Sequence, residues 1–451
     1  MPHPSATDTT SAGQSPLKTA SQPTEPARTQ SRLGWLDALR GFAAVVVLFS
    51  HYEPRAFGAV LDPALSHLHI GLYGVLVFFF VSGYVIPMSL ERKESLRGFW
   101  IGRVFRLYPA WALSILLWAA VTLATQSHLP AYATDHAATS AVAHLTMLQE
   151  TLNVRGYTVV LWTLSMEMMF YLICSGLAAT GLLRFSPTWL VTLCGLALAA
   201  GWTLPAHYLT HDPALRRDIV LVVATLLAAV LAAFLTGRRT LALPAGILGL
   251  GALALPIISY LPTSNFLLWL SIMFGGMVVY HAHHGKISRR TAAIALFALA
   301  IAGTVDRWRP DFPKDWQIQV ATFWLAAATF AVGFLLRHRQ PTRVLRWLGR
   351  ISYSVYLLHI VVLQPFDATI LGWGPGPRSV LAVLGLAAAT LLLADLSYRF
   401  VELPGQRLGV RLTRWFEQRF GPDRGLPRTP KVTIISQPAV RSAPEDSKMP
   451  V

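Results

Sequence analysis

The sequence predicts an all-α polytopic integral membrane protein with about ten to twelve transmembrane helices. Three observations carry that expectation. Charged residues are 13% of the 451 positions, about half the share of a soluble domain. Apolar runs of bilayer-crossing length recur along the chain. The basic residues sit between those runs, more of them on one side of the membrane than on the other.

Residues 1–33 are rich in Ser, Thr, Pro, Gln and Ala and have no apolar core, which predicts a disordered cytoplasmic tail rather than a signal peptide. Twelve spans follow, at residues 35–52, 71–90, 108–125, 159–183, 188–204, 217–236, 241–261, 265–281, 291–305, 317–336, 350–366 and 378–400. The transmembrane domain is expected to cover residues 34–404, and residues 405–451 to form a basic, disordered cytoplasmic tail. With the N-terminus in the cytoplasm, the inner loops hold 16 Lys and Arg and the outer loops 8. That asymmetry predicts a multi-pass cell-membrane protein with both termini cytoplasmic. It also accounts for the net charge of +16; no basic nucleic-acid module accompanies the charge, so a nucleic-acid partner is not expected. Cys174 and Cys194 lie within apolar spans and have neither a disulfide framework nor metal-ligand spacing. No 6+6 repeat is visible, which weighs against a transporter built on internal repeats.

The first span carries the most informative pattern, Trp35-Leu-Asp37-Ala-Leu-Arg40 followed by an apolar run to His51. Ionisable groups inside a span are expensive and point to function. Arg40 and His51 are eleven residues apart. At about 100° per residue they share one face, roughly 16 Å apart along the axis, with Asp37 about one turn before Arg40. The plainer alternative is an interfacial Asp37–Arg40 ion pair with His51 at the outer boundary. In the second span, small Ser82 and Gly83 suit close helix packing. Arg103 and Arg106 lie one turn apart before Pro109, in a segment expected to be a surface helix at the inner leaflet. Lipid anchoring and phosphate recognition both fit them. The fourth span, with Trp162, Ser165, Glu167 and Tyr171, runs from outside to inside, so Glu167 is expected in the outer half, level with His51. A histidine and a carboxylate at one depth could form a general-base pair. Ser352, Tyr356 and His359 form a polar stripe on the eleventh span, as a hydrogen-bond network or as substrate contacts. Tyr398-Arg399-Phe400-Val-Glu402 reads as an inner-boundary anchor.

Taken in order, Leu36-Asp37-Ala-Leu-Arg40-Gly41 with His51, Phe78-Phe79 with Ser82-Gly83, Arg103-x-x-Arg106-x-x-Pro109, Leu161-Trp162-Thr-Leu-Ser165-Met-Glu167-x-x-Phe170-Tyr171, Ile351-Ser352-Tyr353-Ser-x-Tyr356-Leu-x-His359 and Tyr398-Arg399-Phe400-x-Glu402 resemble the membrane acyltransferase-3 family. The resemblance implies transfer of an acyl group, acetyl or another short chain, from acyl-coenzyme A to a hydroxyl of a carbohydrate or a glycosylated metabolite such as a macrolide. Acyl-coenzyme A would be a donor co-substrate, with no tightly bound cofactor and no metal; the other partners are the hydroxyl-bearing acceptor and the lipid bilayer. By the same resemblance, Arg40, His51 and Glu167 match essential positions and Arg103 and Arg106 a donor-side motif. His51 would be the general base, with Glu167, or second to it Asp37, orienting its ring. Trp162, Ser165, Tyr171, Ser352, Tyr356 and His359 are the expected substrate contacts. The family core has about ten spans, and residues 217–261 would be an added helical hairpin. The alternatives from other classes are a transporter or flippase that uses its intramembrane charges for coupling, and a non-catalytic member.

Overall fold

Twelve apolar segments that must satisfy their own backbone hydrogen bonds in lipid can do so only as helices or as a closed barrel. The computed structural model describes residues 26–58, 68–203, 212–259, 261–305 and 316–427, and among these all regular structure is helical. The helices are α1 (Pro26–Ala56), α2 (Ile70–Lys93), α3 (Leu96–Gln126), α4 (Ala137–Leu145), α5 (Trp162–Thr180), α6 (Ser186–Thr203), α7 (Pro213–Thr236) and α8 (Arg239–Leu250), followed by α9 (Thr263–His283), α10 (Arg289–Val305), α11 (Trp316–Leu335), α12 (Arg343–Leu363), α13 (Asp367–Trp373), α14 (Pro377–Ser397) and α15 (Leu403–Phe420). Every expected span falls on a helix, and ten segments of the described chain are long and apolar enough to cross a membrane. The expected tail disorder falls on residues 1–25 and 428–451, outside the described residues.

The core is built on α2, α5 and α9: 83% of the apolar window of α5 and of α9 is buried, against 22% in α7 and α11. Helix α1 packs between α2 and α12, and α9 lies between α2 and α6. Glycines set the closest crossings. A Cβ on Gly41 would stand 2.7 Å from the Gly349 nitrogen, so α1 and α12 touch backbone to backbone. A Cβ on Gly83 would overlap the Met273 carbonyl, so the packing expected of Ser82-Gly83 is made between α2 and α9.

Three expectations are corrected. Helix α1 starts at Pro26, inside the segment expected to be tail. The segment from Arg92 to Arg106 is not a surface loop and helix separate from the next span. Glu94, in the left-handed region at φ 47°, ends α2, and Ser95 caps α3 by accepting from the Gly98 N–H at 2.8 Å. From there α3 runs unbroken through Pro109 to Gln126. Arg97, 1% exposed, donates to the carbonyls of Leu235, Thr236 and Gly421 at 2.7–3.0 Å and fastens α3 to the ends of α7 and α15. The region after residue 404 is also not wholly a tail, because α15 packs along α3. A π-helical turn, Tyr398–Glu402, links α14 to α15. Its wider turn swings Glu402 inward to 2% exposure, where the sequence suggested a boundary anchor.

Candidate functional site

The Gly41–Gly349 crossing lays the Arg40–His51 face of α1 against the Ser352–Tyr356–His359 stripe of α12. Two spaces open along this seam. The first is a narrow pocket of about 50 Å³ whose walls include Arg40, Phe78, Phe79, Glu167, Ser352 and Tyr356. Behind it lies a set of charges from four elements. Glu167 accepts a hydrogen bond from Tyr171 on its own helix. Arg103, 7% exposed, sits over the Tyr171 ring at 5.0 Å and the Phe99 ring at 5.1 Å, within the field of Glu167. Arg40 feels Arg106, Glu167 and Asp37. Glu402 accepts from Ser354 and feels Arg106 and Arg40. Three guanidiniums thus face three carboxylates, the arrangement that makes buried charge tolerable in a membrane protein.

The second space is wider, about 310 Å³, and its walls include His51, Arg55, Trp118, Thr122, Gln364 and Asp367. Arg55 Nε donates to Asp367 at 2.6 Å and its Nη1 to the His51 carbonyl at 2.7 Å. Gln364 donates to Thr122 at 2.9 Å. Trp118 stacks on Tyr157 at 5.0 Å, and Tyr157 on His144 at 3.7 Å. Burial lowers the pKa of His144, on α4, to about 4, so a neutral imidazole backs Tyr157. Tyr356 is a wall of the narrow pocket, and its ring centroid lies 6.0 Å from that of His359. Tyr356 is locked, accepting from Thr163 at 2.8 Å and donating to the Val160 carbonyl at 3.1 Å. The His359 ring lies 5.2 Å from that of His51.

The acyltransferase domain family model matches residues 33–291 and 219–399, most of the chain. The protein belongs to the acyltransferase domain family. It is 24% identical over 424 residues to O-acetyltransferase OatA of Staphylococcus aureus, covering 90% of this chain and 62% of OatA. It is 31% identical over 146 residues to Acyltransferase MdmB of Streptomyces mycarofaciens, 31% of this chain and 38% of MdmB. Over 152 residues it is 30% identical to Nodulation protein 10 of Rhizobium leguminosarum bv. viciae, 30% of this chain and 41% of that protein. The chain therefore matches less than two thirds of each relative's length. No solved structure matches.

In this family member, Arg40 lines the narrow pocket and His51 the wide one. The expected His51–Glu167 pair is not formed among the described residues. Glu167 sits with Arg40 and Arg103, and the ring facing His51 is His359. The cause is the segment before α5. Leu148, Gln149, Thr151, Leu152, Val160 and Leu161 are all at most 2% exposed, so α5 begins inside the protein. Glu167, five residues into that helix, is deeper than a span starting at the surface would place it. Asp37 keeps company with Arg40, Arg106 and Arg350 and is likewise remote from His51. Arg103 and Arg106 belong to the buried charge set rather than to an exposed surface. Ser165 is wholly buried and accepts from the Glu150 N–H at 3.3 Å, a structural bond that pins the re-entrant segment. Trp162 packs on Trp269 at 4.7 Å, outside the walls of either space. The sequence reading took Glu402 for part of a boundary anchor and missed the Arg55–Asp367 pair. The first needed the π turn, for which the sequence carries no periodic signal. The second joins residues 312 positions apart.

Proposed function

We propose that this protein is an integral membrane O-acyltransferase that moves an acetyl or other short acyl group from acyl-coenzyme A to a hydroxyl of a carbohydrate or a glycosylated metabolite such as a macrolide. The observation that carries the reading is the pair of unlike spaces on one seam, with a row of rings, Tyr356, His359 and His51, running from the wall of one to the wall of the other. One is narrow and backed by arginines; the other is wide, lined by hydroxyl, amide and aromatic groups, and holds the one histidine expected to act as a base. The names of the relatives OatA and MdmB support it.

In this reading the thioester end of the donor occupies the narrow pocket, whose small volume suits a short acyl chain. Arg103 and Arg106 favour the anionic donor electrostatically from the end nearer Asp37, taken as cytoplasmic. Arg40, about 16 Å from His51 along α1, guides the pantetheine arm or its phosphate. Glu167, Asp37 and Glu402 keep the guanidiniums in place. The acceptor enters the wide space. His51 takes its hydroxyl proton as the oxygen attacks the thioester carbon. The carbon–sulfur bond breaks, and the leaving thiolate receives the proton from His51, giving the ester and free coenzyme A.

The test is thiol release by purified protein in nanodiscs, supplied with acetyl-coenzyme A and a panel of oligosaccharides and glycosylated macrolides, with mass analysis of the acceptors. Acceptor-dependent thiol release matched by one acetyl group per product is the expected result. Solute flux in proteoliposomes without thioester turnover would place the chain among transporters instead.

A further inference from the structure

His359 is wholly buried, and its two ring nitrogens are used unequally. Nδ1 lies 3.1 Å from the Val355 carbonyl, one turn earlier on α12. A carbonyl oxygen only accepts, so Nδ1 carries the proton and Nε2 holds a lone pair. That Nε2 has no hydrogen-bond partner among the described residues. The nearest titratable ring is His51, at 5.2 Å between centroids and an interplanar angle of 44°. Ring nitrogens sit ~1.1 Å from each centroid, so two nitrogens turned toward one another would stand ~3 Å apart, hydrogen-bond distance.

Both backbones are fixed around the pair. Tyr52 donates to the His359 carbonyl at 2.8 Å and meets Thr390 of α14 at 2.9 Å. Arg55, held by Asp367 of α13, donates to the His51 carbonyl. The charged and titratable groups that face the pair are Tyr52 and Arg55 on α1, Asp367 on α13, Tyr356 on α12 and, across the wide space, Tyr132 and Tyr157; α14 contributes the hydroxyl of Thr390. No carboxylate other than the one already paired to Arg55 lines that space.

We propose that His359 is a positioning residue for His51, its Nε2 accepting the ring N–H of His51 and so fixing the tautomer that leaves the other His51 nitrogen free as the base. The proposal rests on His51 being the base of the transfer reaction. During the reaction the acceptor's proton goes to the free nitrogen of His51 and from there to the departing thiolate. The proton shared with His359 stays on His51, and His359 remains neutral while sharing the imidazolium charge. A neutral imidazole thus fills the role that a carboxylate fills in a Ser–His–Asp triad, without bringing another negative charge into the membrane.

The experiment compares purified wild type, His359→Gln, His359→Phe and His51→Ala. His359→Phe should lower kcat by ~10², within the range for lost acid–base catalysis, with the acceptor KM within twofold. It should also move the acid limb of the kcat/KM profile to lower pH, because a base that loses an acceptor for its N–H becomes weaker. His359→Gln, which retains an acceptor, should recover at least a tenth of the wild-type rate. Wild-type kcat in His359→Phe overturns the proposal, as does a raised acceptor KM with an unmoved acid limb, which is the signature of a substrate contact. Full activity of His51→Ala overturns the underlying reading of the base, a separate outcome. Where a variant fails to fold, 15N-histidine NMR of the wild-type protein decides. His359 should hold its proton on Nδ1 across neutral pH, and an Nε2–H tautomer overturns the proposal.

Discussion

At the scale of single residues, the proposed reaction divides its chemistry between His51 and the arginine set, and each makes its own prediction. His51→Ala should reduce acyl transfer at least ~10²-fold while the protein still purifies as a folded species, since general-base catalysis contributes 10²–10⁴. Retention of more than a tenth of turnover would remove His51 from the base role. Glu167→Gln should destabilise by about 3 kcal/mol, the low end for breaking a buried pair, because Arg40 and Arg103 lose a counter-charge. Adding Arg103→Gln should restore part of the lost melting temperature; simple additivity of the two losses would mean that the charges are not coupled. A third residue, Glu150, lies in the re-entrant segment, where burial raises its carboxyl to about 7. Its folded pKa is above its unfolded value, so the native state loses stability as pH rises from about 4.5 to about 7 and no more beyond. Glu150→Gln should therefore raise Tm at pH 8 more than at pH 5; equal shifts would deny the linkage. Arg40 and His51 were legible as one face because eleven residues of a regular helix fix their relation. The partner of His51 was not. It depended on where α5 starts, and that is decided by the burial of residues 148–161 rather than by any local pattern.

At the scale of elements, crossings do what hydropathy cannot. Gly349 is the point where α12 meets the Asp37 turn of α1, and a Cβ there would stand 2.7 Å from Asp37 Cβ and closer still to its backbone. Gly349→Ala should push the two helices apart, lowering both Tm and activity, whereas Gly385→Ala on α14, with nothing within 4 Å, should be neutral in both. Equal behaviour of the two variants in thermal unfolding and turnover would mean that the α1–α12 contact does not shape the site. The positions of the long apolar helices were legible from apolar length alone. The continuity of α3 was not, since a proline normally marks a helix start, and a helix at membrane depth accommodates one when neighbours re-satisfy the freed carbonyl. The π turn was equally hidden: one extra residue per turn changes which side of the chain Glu402 faces without altering composition.

At the scale of the whole molecule, the protein is a bundle in which α1 carries one functional group into each of two spaces. In the proposed reaction such a division would keep a hydrophilic donor and a hydrophilic acceptor from sharing one open channel. Charge asymmetry was the most legible feature of the sequence at this scale. A cytoplasmic N-terminus puts 16 Lys and Arg in inner loops against 8 in outer ones. The same topology places Gln126, exposed beside the wide space, outside, and exposed Ser288, before α10, inside. Cys174 and Cys194 are both buried, so substituting them by Ala gives a background without native thiols at little expected loss of surface chemistry. In that background, Gln126→Cys should react with a membrane-impermeant maleimide added to intact cells. Ser288→Cys should react only after permeabilisation. The reverse pattern would turn the molecule over, put the wide space in the cytoplasm and require the donor and acceptor assignments to be exchanged. Labelling of both from outside would mean that the spans between them are miscounted, because an odd number of crossings must separate the two positions.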